Sequence, residues 1–248
     1  MLCINNRFTD AYFNLAAEEY LFHSFTKDIF MLWQNEPSVI IGKHQNIWAE
    51  VNLDFVRDKQ IKVVRRFSGG GAVYHDLGNL NFTFIENSNN ADFDKFSKQI
   101  ISMLANIGID AKADDRRALT INGLKISGSA QCIHKKRVMY HATLLFSTDL
   151  ANLSTALHSN PEQLNNITAN QRPVSVKSVR SQVTNIREYL PGSMQIQDFK
   201  RLAMNYFIEN KEENYTYSFS KEDVAAIAQL REAKYSTSDW NFNASFHK

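Results

Sequence analysis

The densest chemical signal in the chain is Arg65-Arg66-Phe67-Ser68-Gly69-Gly70-Gly71-Ala72-Val73-Tyr74-His75-Asp76. Consecutive glycines permit positive φ and let the main chain approach a ligand closely. The two guanidinium groups ahead of them offer planar, multi-donor contacts suited to an anion. No Gly-Lys-Ser/Thr follows, and the spacing is not Gly-x-Gly-x-x-Gly, so neither a Walker loop nor a dinucleotide fingerprint is present. A structural glycine hairpin within a sheet is the alternative.

A second stretch is Asn122-Gly123-Leu124-Lys125-Ile126-Ser127-Gly128-Ser129-Ala130-Gln131. Lys125 stands in a strand-like, otherwise small and neutral context. It belongs either on a solvated face or beside a ligand that the small residues admit. Arg116, Arg117, Lys125, Lys135, Lys136 and Arg137 lie in a segment with no acid, a field that suits an anionic ligand such as a nucleotide. A third stretch carries Arg172, Lys177-Ser178-Val179-Arg180 and Val183-Thr184-Asn185, and no acid occurs between Gln163 and Arg187. A solvated mobile loop and a lid that orders over a phosphate both fit it.

The elements that must position these residues alternate along the chain. Thr9 or Asp10 caps a helix to about Ser24 with Tyr12, Leu15, Ala16, Glu19 and Tyr20 at helical spacing. Ile29–Trp33 and Val39–Ile41 read as strands and Asn52–Asp58 as a short helix. Val63–Arg66 and Ala72–Tyr74 read as strands on either side of the glycines. Leu80–Ile85 alternates as a half-buried strand does. Phe93–Ile107 is a helix with an apolar stripe, ended by Gly108. Leu119–Ile121 and Lys125–Ile126 flank Asn122-Gly123, a hairpin signal. Met139–Phe146 is a strand and Leu150–His158 a helix. A polar stretch over 159–181 follows, then helices at Ile196–Ile208 and Glu222–Ala233. The fold class is α+β with a mixed, largely antiparallel sheet flanked by helices. The missing βαβ alternation argues against a doubly wound nucleotide fold.

Composition bounds the rest. The 248 residues are 44% hydrophobic and 22% charged, as in an ordinary globular chain. A balance of 28 basic and 26 acidic residues does not suit a dedicated nucleic-acid binder, so no nucleic-acid partner is expected. Two cysteines, Cys3 and Cys132, exclude a disulfide scaffold and fit a reducing compartment. No CxxC or HExxH speaks for zinc. With no secretory leader and no apolar run of membrane length, the expectation is a soluble cytoplasmic protein without a membrane partner.

Together the motifs resemble the lipoate–protein ligase A family. Residues 65–79 look like its lipoate-binding loop and the strand after it. Lys125-Ile126-Ser127-Gly128-Ser129-Ala130 looks like its lysine motif, and His141-Ala142-Thr143-Leu144-Leu145 like the strand that follows. Ser178 to Asn185 is similar to the end of its adenylate-binding loop. The resemblance implies a fold shared with biotin ligases and class II aminoacyl-tRNA synthetase cores. It implies that lipoic acid and MgATP give lipoyl-AMP, whose acyl group passes to a lysine of a lipoyl domain. Such domains belong to 2-oxo acid dehydrogenase acyltransferase subunits and the glycine cleavage H protein. By the same resemblance Lys125 is catalytic. Arg66, Ser68, Gly69, Gly70, Gly71, Ala72, His75, Asn79, Ser127, Gly128 and His141 bind the acyl substrate. Val73, Tyr74, Lys125, Ala130, Ser178, Val179 and Arg180 contact the nucleotide. ATP and Mg2+ are the cofactors, with no metal ligand assigned.

Two departures stand out. Arg116-Arg117-Ala118 replaces the family's Arg-Asn-Asp. Residues 1–237 read as the catalytic domain and 238–248, with Asp239-Trp240-Asn241-Phe242-Asn243, as the opening of a small C-terminal domain that the chain lacks. Either the sequence is a shortened form, or a separate small subunit supplies that domain, or the chain works without it. The rival reading is a lipoyl or octanoyl transferase, with Cys132 as nucleophile if its side chain reaches Lys125. By strand phase Cys132 is expected to point away from Ala130. A biotin ligase lacks its Gly-Arg-Gly-Arg signature here, and a ligand-binding regulator has no room for an N-terminal helix-turn-helix.

Overall fold

The computed structural model describes residues 1–88, 92, 94–158 and 176–243. Its strands are β1 (Leu2–Asn5), β2 (Ile29–Trp33), β3 (Ser38–Ile41), β4 (Lys62–Arg65), β5 (Val73–His75), β6 (Asn79–Asn87), β7 (Lys112–Ala113), β8 (Leu119–Ile121), β9 (Leu124–His134), β10 (Arg137–Leu145) and β11 (Tyr215–Tyr217). Its helices are α1 (Ala11–Ser24), α2 (Ile47–Glu50), α3 (Leu53–Asp58), α4 (Asp94–Ala105), α5 (Leu150–Ala156), α6 (Ile196–Glu209) and α7 (Lys221–Leu230). Helical turns of π geometry follow at Arg231–Tyr235 and Asp239–Asn243.

The main sheet runs β11-β1-β2-β6-β10-β9-β8-β7, and a small one runs β4-β3-β5. β11, β1 and β2 are parallel, and every later pairing in the main sheet is antiparallel. The α+β expectation with a largely antiparallel sheet therefore holds. The strands flanking the glycines are not a hairpin. β4 lies parallel to β3 on one side, and β5 lies antiparallel to it on the other. The glycine loop thus crosses over the end of β3. Asn122 and Gly123 both take positive φ, 50° and 80°, and close the β8–β9 hairpin as their types require.

Each face of the main sheet is covered. Leu80, Phe82 and Phe84 of β6 pack with Phe96 and Ile100 of α4 and Phe199 and Phe207 of α6. Burying each such ring stabilises the fold by roughly 2–3 kcal/mol. Opposite, Met31, Trp33, Ile85 and Met139 pack against Leu15, Ala16 and Leu21 of α1 and Ile227 of α7. β6 is therefore buried on both faces from Asn79 to Ile85, not half-exposed as its alternation suggests. Of its polar residues, Asn81 lines an interior cavity, while Asn79 and Thr83 are buried against Asn81 and Glu18. α1 likewise buries Ala11, Phe13, Asn14, Leu15, Ala16, Ala17 and Glu18, well beyond one stripe. β1, β7 and β11 were not expected, being two to four residues long. Phe93 and Arg172, with most of the 159–181 stretch, lie outside the described residues. No described helix is long and apolar enough to cross a membrane.

Candidate active site

A cavity of about 260 Å³ opens between the glycine loop and the middle of the main sheet. Its mouth carries the exposed residues Asp114, Arg116, Lys177 and Val179 around Lys125. Its closed end is formed by Leu15, Glu18, Trp33, Ile40, His75 and Asn81, all buried.

The double arginine does not form the expected anion clamp, because both guanidinium groups are spent on main-chain carbonyls. Arg66 donates to Gly69 O (2.9 and 2.7 Å), Gly71 O (2.7 Å) and Ile40 O (3.3 Å), which staples the loop into its curve. Arg65 donates to Gly42, Lys43 and Gln45 carbonyls and to those of Trp240 and Asn241. Trp240 Nε1 in turn donates to Arg65 O, and Arg65 N–H to Asn241 Oδ1. Burial pushes both arginines down to about 10, so they stay charged at neutral pH. Gly70 has φ 92°, and a Cβ there would lie 2.7 Å from Arg66 Nη2, so no other residue fits without displacing the staple.

Lys125 enters β9 just after the hairpin. Its main chain bonds to Gln182 O (2.9 Å) and Thr184 N (3.0 Å), so the end of the long loop lies along this strand edge. Burial holds its ammonium below the usual lysine value, with Asp114 opposing and Arg116 adding to the shift. A Cβ on Gly128 would stand 3.7 Å from Lys125 Nζ, so the absent side chain keeps this corner open. Asp114 bridges its own turn, accepting from Arg116 and Ala118 N–H.

Ser178 ties the long loop to the glycine loop. Its Oγ accepts from Ala72 N–H (2.8 Å) and Gln45 Nε2 (3.0 Å). Its N–H donates to both carboxylate oxygens of Glu50 (3.2 and 3.1 Å). Gln45 and Glu50 escaped the sequence reading. They come from the α2 region, and no motif marks them.

Two polar networks back the closed end, reaching it through Glu18, His141 and His75. Glu18 accepts from the Thr83 hydroxyl (2.6 Å) and lies 3.0 Å from His141 Nδ1, while Ser68 Oγ lies 3.1 Å from His141 Nε2. The order carboxylate, imidazole, hydroxyl is that of an acyl-transfer triad. Ser68, however, is 1% exposed and does not line the cavity, so here it anchors the loop. The second network sets a tautomer. Phe8 N–H donates to Asn6 Oδ1, so Asn6 Nδ2 donates to Asn14 Oδ1. Asn14 Nδ2 then donates to Asn35 Oδ1, which turns Asn35 Nδ2 toward His75 Nδ1 (3.1 Å). His75 therefore carries its proton on Nε2. Burial, with Arg66 and His141 nearby, pushes its pKa down to about 3, so the ring is neutral.

Of the expected site residues, Arg66, Gly71, Ala72, Val73, His75, Lys125, Gly128, Ala130, His141, Ser178 and Val179 line this one cavity. Ser68, Gly69 and Gly70 shape the loop around it, and Asn79 bonds to Asn81 Oδ1 (2.9 Å) behind it. Ser127 faces away, as strand alternation from Gly128 demands. Tyr74 is buried with Val39 and Ile41, and Arg180 contacts His158. The basic residues of 116–137 do not make one field. β9 separates Lys125 from Lys135 by ten residues, about 33 Å, and Arg137 is buried, donating to Lys27 O (2.7 Å). Cys132 faces the same side as Ala130, contrary to expectation, since Met139 opposite it and His141 opposite Ala130 share a face. It packs in the α1 core, and burial pushes its thiol up, which does not make a nucleophile. Among the described residues no group of three or more His, Cys, Asp or Glu is placed to hold a metal ion.

The cavity is bounded by the glycine loop and has the half-buried Lys125 at its mouth. The family model for the lipoyl protein ligase A/B catalytic domain matches residues 10–208, and the chain belongs to that family. It is similar to lipoate–protein ligase 1 of Staphylococcus aureus (strain Mu50), 38% identical over 243 residues that span 96% of this chain and 72% of that one. Among solved structures it is similar to a bi-partite lipoate protein ligase from Thermoplasma acidophilum, at 25% identity and a TM-score of 0.79. That match covers 100% of this chain and 98% of the other. It is also similar to a lipoate–protein ligase A bound with ATP, at 25% identity and a TM-score of 0.78, covering 98% and 99%.

Proposed function

We propose that the chain is a lipoate–protein ligase that activates lipoic acid with MgATP to lipoyl-AMP and transfers the lipoyl group to a lysine of a lipoyl domain. The observation that carries this is the position of Lys125, at the mouth of a narrow, closed-ended cavity with Arg116 and Lys177 beside it.

The acyl chain lies in the cavity with its carboxylate at Lys125. Adenylation brings that carboxylate against an α-phosphate, so two anions must meet. The Lys125 ammonium, held in a poorly solvated corner, offsets their repulsion and gains as charge builds in the transition state. A carboxylate oxygen attacks phosphorus, and pyrophosphate leaves toward Arg116 and Lys177. The donor set at the mouth fits a nucleotide: three cations, with Asp114 as the carboxylate that would hold magnesium. That ion, when bound, neutralises phosphate charge. Transfer then needs no protein nucleophile, because the mixed anhydride is already activated. The acceptor amine must lose a proton and be held in line. On this reading residues 1–237 are the catalytic unit, and the partner is a lipoyl domain.

A second reading is favoured by one observation, the full-length likeness to a chain described as part of a bi-partite ligase. Here the protein transfers the acyl group, and a separate small subunit is needed for activation. Intact mass of a lipoyl domain separates the two. Modification with lipoate and MgATP supports the complete ligase, modification only with lipoyl-AMP supports the transferase, and modification with neither refutes both.

A further inference from the structure

We infer that the turn at residues 42–45, pinned through Arg65 to Trp240 and Asn241, sets the seat of both the glycine loop and the long loop, which makes Asn241 a positioning residue for the acyl-adenylate. The inference rests on the ligase reading of the cavity and extends its catalytic unit past residue 237.

Residues 42–45 lie just beyond the end of β3 and touch both loops. Lys43 N–H donates to Ser68 O (2.9 Å), and a Cβ on Gly42 would collide with Gly70 O, so the glycine loop rests directly on this turn. On the other side Gln45 Oε1 accepts from Gly42 N–H (2.9 Å). That bond aims Gln45 Nε2 at Ser178 Oγ (3.0 Å) and Val176 O (3.3 Å) of the long loop. A shift of the turn therefore moves two walls of the cavity at once.

Arg65 holds the turn in place. Its Nη1 donates to the carbonyls of Gly42 (3.0 Å), Lys43 (3.1 Å) and Gln45 (2.8 Å). Its Nε and Nη2 donate to the carbonyls of Trp240 (3.1 Å) and Asn241 (3.0 Å). Asn241 Oδ1 also accepts from Arg65 N–H (2.8 Å). The Asn241 side chain is fixed in turn, because its Nδ2 donates to Tyr235 O (2.7 Å) and Thr237 O (2.9 Å). Arg65, Gln45 and Asn241 are all buried. A guanidinium group is tolerated in the interior when its donors are filled. An Arg65 that lost its partners at 240 and 241 would turn toward water and release the three carbonyls of the turn.

Asn241→Ala leaves Arg65 N–H buried without its acceptor. Ligand binding must then reorder the turn, which weakens the acyl-adenylate by about tenfold. Ser178→Ala opens the same connection at its other end, so the two losses should overlap. Changes at independent sites would instead multiply to within about twofold.

The test is calorimetric binding of lipoyl sulfamoyl-adenosine to the full chain, to Asn241→Ala, to Ser178→Ala and to the double variant, each well below its melting temperature. Asn241→Ala should weaken binding by about tenfold. In that background the effect of Ser178→Ala should shrink by at least threefold. A residue that merely supported the fold would lower the melting temperature and leave the affinity of the folded protein unchanged. Should Asn241→Ala prevent folding, Trp240→Phe removes the donor to Arg65 O (2.7 Å) and takes its place in the cycle with the same thresholds. A loss of less than threefold in Asn241→Ala, or a Ser178→Ala effect that shrinks by less than threefold, would overturn the inference and leave the ligase reading intact. Failure of the unaltered chain to bind the conjugate would overturn the two together.

Discussion

Ser178→Ala removes an acceptor from the contact that seats the long loop on the glycine loop. Ala72 N–H loses its bond to Oγ at 2.8 Å. Gln45 Nε2 loses one at 3.0 Å but keeps Val176 O at 3.3 Å. The backbone bonds from Ser178 N–H to Glu50 remain. The Ala72 amide is partly accessible, so its loss falls at the low end of the range for an unsatisfied donor, about 1–1.5 kcal/mol, and the Gln45 bond adds about 0.5–1 kcal/mol. The sum, about 2 kcal/mol, is spent on seating residues 177–181, which wall the mouth. A ligand that needs that wall must now order it on binding, so its affinity falls by about 30-fold. The assay is calorimetry with lipoyl sulfamoyl-adenosine, accompanied by a melting curve. The core does not depend on this contact, so the melting temperature should move little. A change in affinity of less than threefold would refute the idea that Ser178 holds the wall.

Other outcomes follow from the same geometry. Lys125→Ala should lower lipoyl-AMP formation by two to three orders of magnitude with an unchanged melting temperature, and retained adenylation would remove Lys125 from the mechanism. Gly70→Ala places a Cβ 2.7 Å from Arg66 Nη2 at positive φ; lipoate affinity should drop at least tenfold, while a normal affinity would show that the loop tolerates another shape. His75 has its folded pKa pushed down to about 3, so the unfolded chain takes up its proton first as pH falls below about 6.5. Its contribution to stability is complete above that value and is lost toward pH 3, with a slope of at most about 1.4 kcal/mol per pH unit. In His75→Gln that limb of the stability–pH curve should flatten, and an identical curve would place the titration elsewhere.

What the sequence made legible was local. The glycine run, the lysine after the Asn122-Gly123 hairpin and the helix stripe at Phe96 and Ile100 are short-range patterns with short-range causes. Other features depend on which distant surface comes to rest against them. Alternation in Asn79-Leu80-Asn81-Phe82-Thr83 is the same whether the polar side meets water or an internal cavity, so only the fold distinguishes them. Glu18 read as one more helix residue because its partners, Thr83 and His141, lie 65 and 123 positions away. The arginine pair was legible as important and wrong in role. A guanidinium group with five donors suits five carbonyls as well as it suits an anion, and the choice is made by Gly42, Gln45 and Trp240.

The grip of Arg65 on Trp240 and Asn241 has a bearing on biosynthesis. β4 emerges from the ribosome early, and the glycine loop follows it directly. Yet the buried guanidinium on which that strand end is built reaches two of its carbonyls, and the strand itself one of its acceptors, only when residues 240 and 241 arrive. A nascent chain can assemble the main sheet before then, but the anchorage of the strand end that leads into the glycine loop is completed last. Synthesis interrupted shortly before Trp240 would release a product with nearly all of its core and an imperfect loop. A quality-control system that senses exposed apolar surface would have little reason to remove it.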